Sequence, residues 1–185
     1  MVFASENGIL SVVLLNDTDH PWRGELRLSR EQLDGEILAT TTVQVNVEPR
    51  TATPIALPDA VSHPQDRTIE IVVVRIEGVT RVHTFVEDIE LALEADPLDV
   101  LVEPTHDGYA VTVTASSFAR DVTLLADRAA SDATVDDALV TVTAGQSATF
   151  RVRTKASELQ ETLDRPPVLR TANDLQHIKT DVRRS

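Results

Sequence analysis

The chain has 185 residues, no cysteine, 17 Lys and Arg against 30 Asp and Glu, and a formal net charge of −13. That balance disfavours nucleic acid and anionic membranes as partners, because both require a positive surface. The lack of cysteine excludes disulfides and thiolate metal sites. The apolar share of 42% is enough for a packed core, and aromatics at 3% leave Val, Leu, Ile and Ala to fill it.

The first elements alternate in the manner of strands. Ile9–Leu15 is an apolar run closed by the turn formers Asn16-Asp17-Thr18-Asp19. Trp22–Leu28 follows, with Trp22, Gly24, Leu26 and Leu28 on one face, and Asp34-Gly35 signals a hairpin. The returning strand runs from Glu36 to Val47, with Val43, Val45 and Val47 set against Gln44 and Asn46. Pro49, Pro54 and Pro58 mark an edge segment, and Glu77-Gly78 joins Ile69–Ile76 to Val79–Val86 in a second hairpin.

Ile89–Pro97 reads as a connector, and a second strand set opens at Leu98. Tyr109, Val111, Val113 and Ala115 alternate with Ala110, Thr112 and Thr114, the cleanest period of two in the chain. Val122–Ala126 and Ala138–Thr143 are further strands, and Ala144-Gly145 turns into Ala148, Phe150 and Val152. Beyond Thr154, Ser157 with Gln160 forms a capping box, and Ala156, Leu159 and Leu163 take helical spacing up to Pro166-Pro167. The fold class that follows is all-β: two consecutive immunoglobulin-like β-sandwiches with a short C-terminal helix and tail. The expected domains are residues 1–90, a smaller sandwich at 91–154, and a short helix with a flexible tail at 155–185.

The chemistry-bearing residues form no reactive set. Asp136 and Asp137, with Asp132, have the composition of a Ca²⁺ loop, but adjacent strand residues point to opposite faces and cannot converge on one atom. The loop at Asn16, Asp17 and Asp19 lacks the later Gly and bidentate Glu of a Ca²⁺ site. His20, His63, His83, His106 and His177 have no metal-ligand spacing. Ser116 and Ser117 lack a nucleophile elbow. No catalytic, cofactor-binding or metal-binding residue is therefore assigned, and no cofactor is expected. Trp22 and Tyr109 are the only residues of their kinds; if they met they would make a small sugar-stacking platform, and core packing or an interdomain contact is the favoured reading. Arg120 beside Asp121 offers an interdomain or inter-sheet ion pair.

The second strand set also carries a family resemblance. Ser116-Ser117-Phe118-Ala119-Arg120-Asp121-Val122, followed by Leu124, resembles the strand near the C-terminus of β-mannosidases of glycoside hydrolase family 2. Ser131-Asp132, Asp136-Asp137-Ala138-Leu139 and Ala144-Gly145-Gln146-Ser147 stand in the family's order after it. Leu10-Ser11-Val12-Val13 through Asn16-Asp17-Thr18 is similar to its opening strand and turn, and Leu33-Asp34-Gly35-Glu36-Ile37-Leu38 to its first hairpin. Val168-Leu169-Arg170-Thr171-Ala172-Asn173-Asp174-Leu175 resembles the ends of actinobacterial members. One departure is Ser131-Asp132-Ala133-Thr134-Val135, where the family has an aromatic-rich stretch.

The resemblance implies a non-catalytic C-terminal accessory region of an enzyme that removes terminal non-reducing β-D-mannose residues with retention. The retaining mechanism uses two carboxyl groups about 5–5.5 Å apart, carried by the parent's (β/α)₈ barrel and not by this chain. The implied partner is that barrel in cis, with mannosides at the cleft rim, and the isolated chain is expected to be inactive. An apolar flank left bare would give weak self-association. A free-standing carbohydrate-binding or adhesion module is the alternative. No stretch at the start reads as a signal peptide and none approaches a membrane span, so a cytoplasmic location is expected.

Overall fold

The computed structural model describes residues 1–6 and 8–175. They fold into two compact units, one made of Met1–Gln32 with Glu36–Leu91, the other of Leu33–Gly35 with the chain from Ala92 onward.

The first unit contains strands β1 (Val2–Glu6), β2 (Ile9–Asn16), β3 (Trp22–Gln32), β4 (Ile37–Val47), β5 (Thr51–Ala56), β6 (Glu70–Ile76) and β7 (Val79–Thr84). A single helical turn, α1 (Asp59–Ser62), lies between β5 and β6. The strands form a three-stranded sheet, β1-β2-β5, and a four-stranded sheet, β4-β3-β6-β7, each antiparallel throughout. Leu10, Val12 and Leu14 of β2 meet Leu26, Leu28, Val45, Val47, Val72 and Val74 in one core. The alternation seen in the sequence is thus the alternation of an inner and an outer face.

Two turns of this unit follow directly from side-chain chemistry. At the end of β2 the buried Asn16 donates to the carbonyls of His20 (2.9 Å) and Val47 (3.0 Å) and accepts from the Thr18 amide (3.1 Å). This is the local competition for backbone groups that makes Asn a turn residue. At Glu77-Gly78 both residues have positive φ (44° and 78°), as a two-residue hairpin between twisted strands demands.

Arg30 points inward and is buried, where it pairs with Glu70 and donates to the Ala60 carbonyl at 3.0 Å. Glu70 also accepts the amides of Gln65 (3.1 Å) and Asp66 (2.8 Å). Burial by itself would raise the Glu70 pKa, but those amides and the guanidinium more than offset it and hold the carboxyl below its ordinary range. His83 sits between Phe3 (ring centroids 5.2 Å) and Phe85 (5.4 Å), and its removal from water lowers its pKa.

The second unit holds β8 (Leu98–Thr105), β9 (Gly108–Ala115), β10 (Ala119–Leu124), β11 (Thr134–Val135), β12 (Val140–Val142), β13 (Ser147–Arg153), the short helix α2 (Gln160–Leu163) and β14 (Leu169–Arg170). Its sheets are β12-β10-β14 and β11-β13-β9-β8. Each unit thus has three strands against four, the arrangement of an immunoglobulin-like sandwich, and the all-β class holds. Tyr109, Val111, Val113, Phe150 and Val152 pack with Val122, Leu124 and Val142 between the sheets.

Beyond shifts of strand ends, the structure departs from the sequence reading at three places. β1 was not foreseen, because an edge strand takes its identity from its partner: Val2–Glu6 is paired residue by residue with Ile9–Val13. The expected capping box at Ser157 does not form; α2 begins after Leu159, without a side-chain cap, and Glu158 has a φ of 63° that no helix can continue through. The segment after Thr154 is also not a loose tail up to residue 175. Leu159, Leu163, Val168 and Leu169 are buried in the second core, and Leu169–Arg170 pairs with β10. The rest of the expected tail, 176–185 with His177, lies outside the described residues.

Two expected outcomes test this architecture. Gly108 has a φ of 148°, and a Cβ added there would lie 2.1 Å from the Val152 carbonyl oxygen across the β9–β13 ladder. Gly108→Ala should therefore cost more than Gly78→Ala in urea unfolding: both take on the strain of an unfavourable backbone position, about 1–3 kcal/mol, but Gly78, at a φ of 78°, meets no neighbouring atom. Glu70 has a depressed folded pKa, so its contribution is present above the ordinary 4.5 and lost as pH falls through the folded value. Glu70→Gln should flatten the fall of stability below that pH and, by stranding the Arg30 charge, lower stability at neutral pH by about 3–5 kcal/mol.

Candidate functional site

The residues singled out in the sequence fall into separate environments. Trp22 opens β3 in the first unit and Tyr109 lies on β9 in the second, so they occupy different units. The Trp22 indole is half-buried and folds across Gly24, where an alanine Cβ would lie 2.4 Å from ring atoms. Its Nε1 donates to Glu77 Oε2 at 3.3 Å. Around it, Leu14, Leu15, Asp17, Ile76 and Val79 line an open groove at the end of the sandwich. Among the described residues the close ring pairs are Phe3–His83 and His83–Phe85, neither of which includes Trp22.

Tyr109 is 5% exposed and belongs to the core. Its hydroxyl accepts the Leu159 amide (3.3 Å) and reaches the Ala156 carbonyl at 3.5 Å, tying the segment before α2 onto β9. A tyrosine so buried keeps its phenol by finding such partners, and it has no face free for a sugar ring.

Arg120 and Asp121 sit on β10 where the pairing with β12 shifts register between Ala119 and Val122. Asp121 takes a φ of 50°, the extra residue of a bulge. The guanidinium of Arg120 comes within 3.7 Å of the Asp121 carboxylate, both partly exposed, and Thr141 donates to Asp121 at 3.3 Å. The ion pair is local to the bulge.

The residue that organises this region is Asn173, which the sequence reading did not single out as a site. It is fully buried. Its Nδ2 donates to the carbonyls of Glu94 (2.9 Å) and Phe118 (3.0 Å), and its Oδ1 accepts the Arg120 amide (2.9 Å). One amide thereby satisfies three peptide groups from two distant stretches of chain. Asp174 beside it accepts from Thr171 and Arg170, fixing the turn that presents Asn173. The one signal in the sequence was the Thr171-Ala172-Asn173-Asp174 string of the resemblance.

The acidic residues weighed as metal ligands are engaged with the backbone. Asp132 accepts the Lys155 amide (2.9 Å) and the Thr154 hydroxyl (2.8 Å), which lower its pKa. Asp136 accepts the Arg151 amide (2.8 Å), and Asp137 the Ala138 amide (2.8 Å). Among the described residues no three His, Asp or Glu side chains are grouped to hold a metal ion.

With this geometry in hand, comparison with known proteins is decisive for the second unit. Residues 93–175 match the family model of the mannosidase Ig-fold domain. These residues are similar to that domain. The match begins one residue before Glu94 and ends two beyond Asn173, so both ends of the Asn173 clasp fall inside it. Among solved structures, a β-D-mannosidase from Dictyoglomus thermophilum is similar in fold, with a TM-score of 0.68 and 16% sequence identity over 93% of this chain. The present chain spans 21% of that protein's length. No curated protein matches the chain.

The Asn173 clasp is directly testable. Asn173→Ala should strand the Arg120 amide and the Glu94 and Phe118 carbonyls; at about 1–3 kcal/mol for each buried group left unpaired, a loss of several kcal/mol is expected. Amide hydrogen exchange would report it first at Arg120. Asn173→Asp should recover little, because a carboxylate cannot donate to the two carbonyls.

Proposed function

We propose that this chain is the non-catalytic C-terminal accessory region of a glycoside hydrolase family 2 β-mannosidase. The parent would hydrolyse terminal non-reducing β-D-mannose residues with retention, and this region would pack on the catalytic barrel and shape the rim of its cleft. The observation that carries the reading is the match of residues 93–175 to the mannosidase Ig-fold domain. The likeness in fold to a β-D-mannosidase along 93% of the chain supports it.

The chemistry of the chain agrees with an accessory role. A retaining glycosidase needs two carboxyl groups facing one bond. Asp132, Asp136 and Asp137 are each committed to a different backbone amide, and Glu70 to Arg30 and two amides. Tyr109 is withdrawn into the core, and Trp22 lies over Gly24 beside Glu77 in the other unit, so the two rings do not make a joint stacking platform.

The test is complementation. A β-mannosidase truncated before the segment equivalent to Met1 should have low activity on a chromogenic β-mannoside, and added chain should bind it and restore turnover, while the chain alone stays at background. Direct binding of mannobiose or mannan by the chain, with no association to the truncated enzyme, would overturn the proposal in favour of a carbohydrate-binding module.

A further inference from the structure

The outer face of the β1-β2-β5 sheet differs in kind from that of the four-stranded sheet of the second unit. Register places Val2, Val13 and Pro54 in one row, Leu15 and Ala52 in the next, and Ile9 on the same side. Val2, Ile9 and Leu15 are each more than half exposed (51%, 57% and 52%). The opposite side of β2 turns Leu10, Val12 and Leu14 inward, so this central strand is apolar on both faces. A strand that reads as a continuous apolar run is one covered on both sides.

The four-stranded sheet of the second unit supplies the contrast. Its outer rows are Asp99, Thr114 and Ser147, and then Leu101, Thr112 and Thr149. There the hydroxyls pair with one another, Thr114 with Ser147 at 2.8 Å and Thr112 with Thr149 at 3.0 Å. That face is built for water, and the β1-β2-β5 face is not. Contiguous apolar surface of this sort on a soluble protein marks an interaction site.

We infer that the outer face of β1-β2-β5 is the surface by which this chain docks on the catalytic domain of a mannosidase polypeptide, a deepening that rests on the function proposed above. Two observations select that occupant. The similar β-D-mannosidase has most of its length outside the 21% that this chain covers, so a large body is at hand in such a protein. A second copy of this chain is disfavoured by charge, since each copy carries −13. Among the described residues of the face, Glu6, paired with Ile9, is the charged one. The complementary surface is therefore apolar, with a cationic side chain opposite Glu6.

The experiment uses carbene footprinting of the chain, alone and mixed with a β-mannosidase truncated before the segment equivalent to Met1. Ile9, Val13 and Leu15 should lose labelling on mixing, while Leu101 keeps it. Ile9→Asp with Leu15→Asp should weaken association at least tenfold, and Leu101→Asp should leave it unchanged. Both positions are exposed, and circular dichroism of the variants checks that the fold persists. Association with Ile9 and Leu15 still labelled, and unaffected by the double substitution, would overturn this face while leaving the accessory role intact. No association at all would overturn the accessory role with it. A dimer of the chain alone that the double substitution abolishes would assign the face to a second copy and overturn the inference.

Discussion

The second unit closes on the side chain of Asn173. A buried peptide group without a partner costs more than a typical hydrogen bond contributes, so the cheapest closure satisfies several groups at once. Asn173 does this for the carbonyls of Glu94 and Phe118 and the amide of Arg120. The bulge at Arg120 and Asp121 then has a reason. A regular β10 would carry Arg120 past this clasp, whereas the shifted register lets the Arg120 amide face Asn173 while its carbonyl accepts the Ala172 amide. The short β14 pairing, the Asp174 turn and the burial of Val168 and Leu169 all depend on the chain returning to this point.

Polar side chains elsewhere are spent in the same way. Asn16 closes the turn after β2, Glu70 gathers two amides and Arg30, Asp136 holds the Arg151 amide of β13, and Asp132 holds the chain just past its end. These carboxylates and amides satisfy backbone groups close to them. The sandwich itself serves many unrelated tasks, so its meaning comes from the family match of residues 93–175 and from which surfaces it leaves apolar.

Much of the fold was legible. The period of two in Tyr109–Ala115 is the buried and open alternation of β9, and Asp34-Gly35, Glu77-Gly78 and Ala144-Gly145 each mark a real turn with a glycine at positive φ. Strand ends were less legible. β3 runs on to Gln32, past the expected end at Leu28, because its last residues Arg30 and Glu31 are polar by composition yet buried with partners. The helix start failed for a similar reason: Leu159 is placed by its amide's bond to the Tyr109 hydroxyl, and that distant contact overrides a local capping pattern.

The sequence by itself determined the all-β class, the inner and outer faces of the long strands, and the turn positions, since these rest on neighbours two residues apart and on glycine backbone freedom. Its short motifs also pointed toward the β-mannosidases. Only the tertiary structure decided that Tyr109 is a core anchor, that Trp22 rests over Gly24 beside Glu77, that Arg120 and Asp121 form a bulge, and that Asn173 is the clasp. Each of these depends on hydrogen bonds or packing between residues brought together by strand pairing, and pairing partners are not encoded in local periodicity.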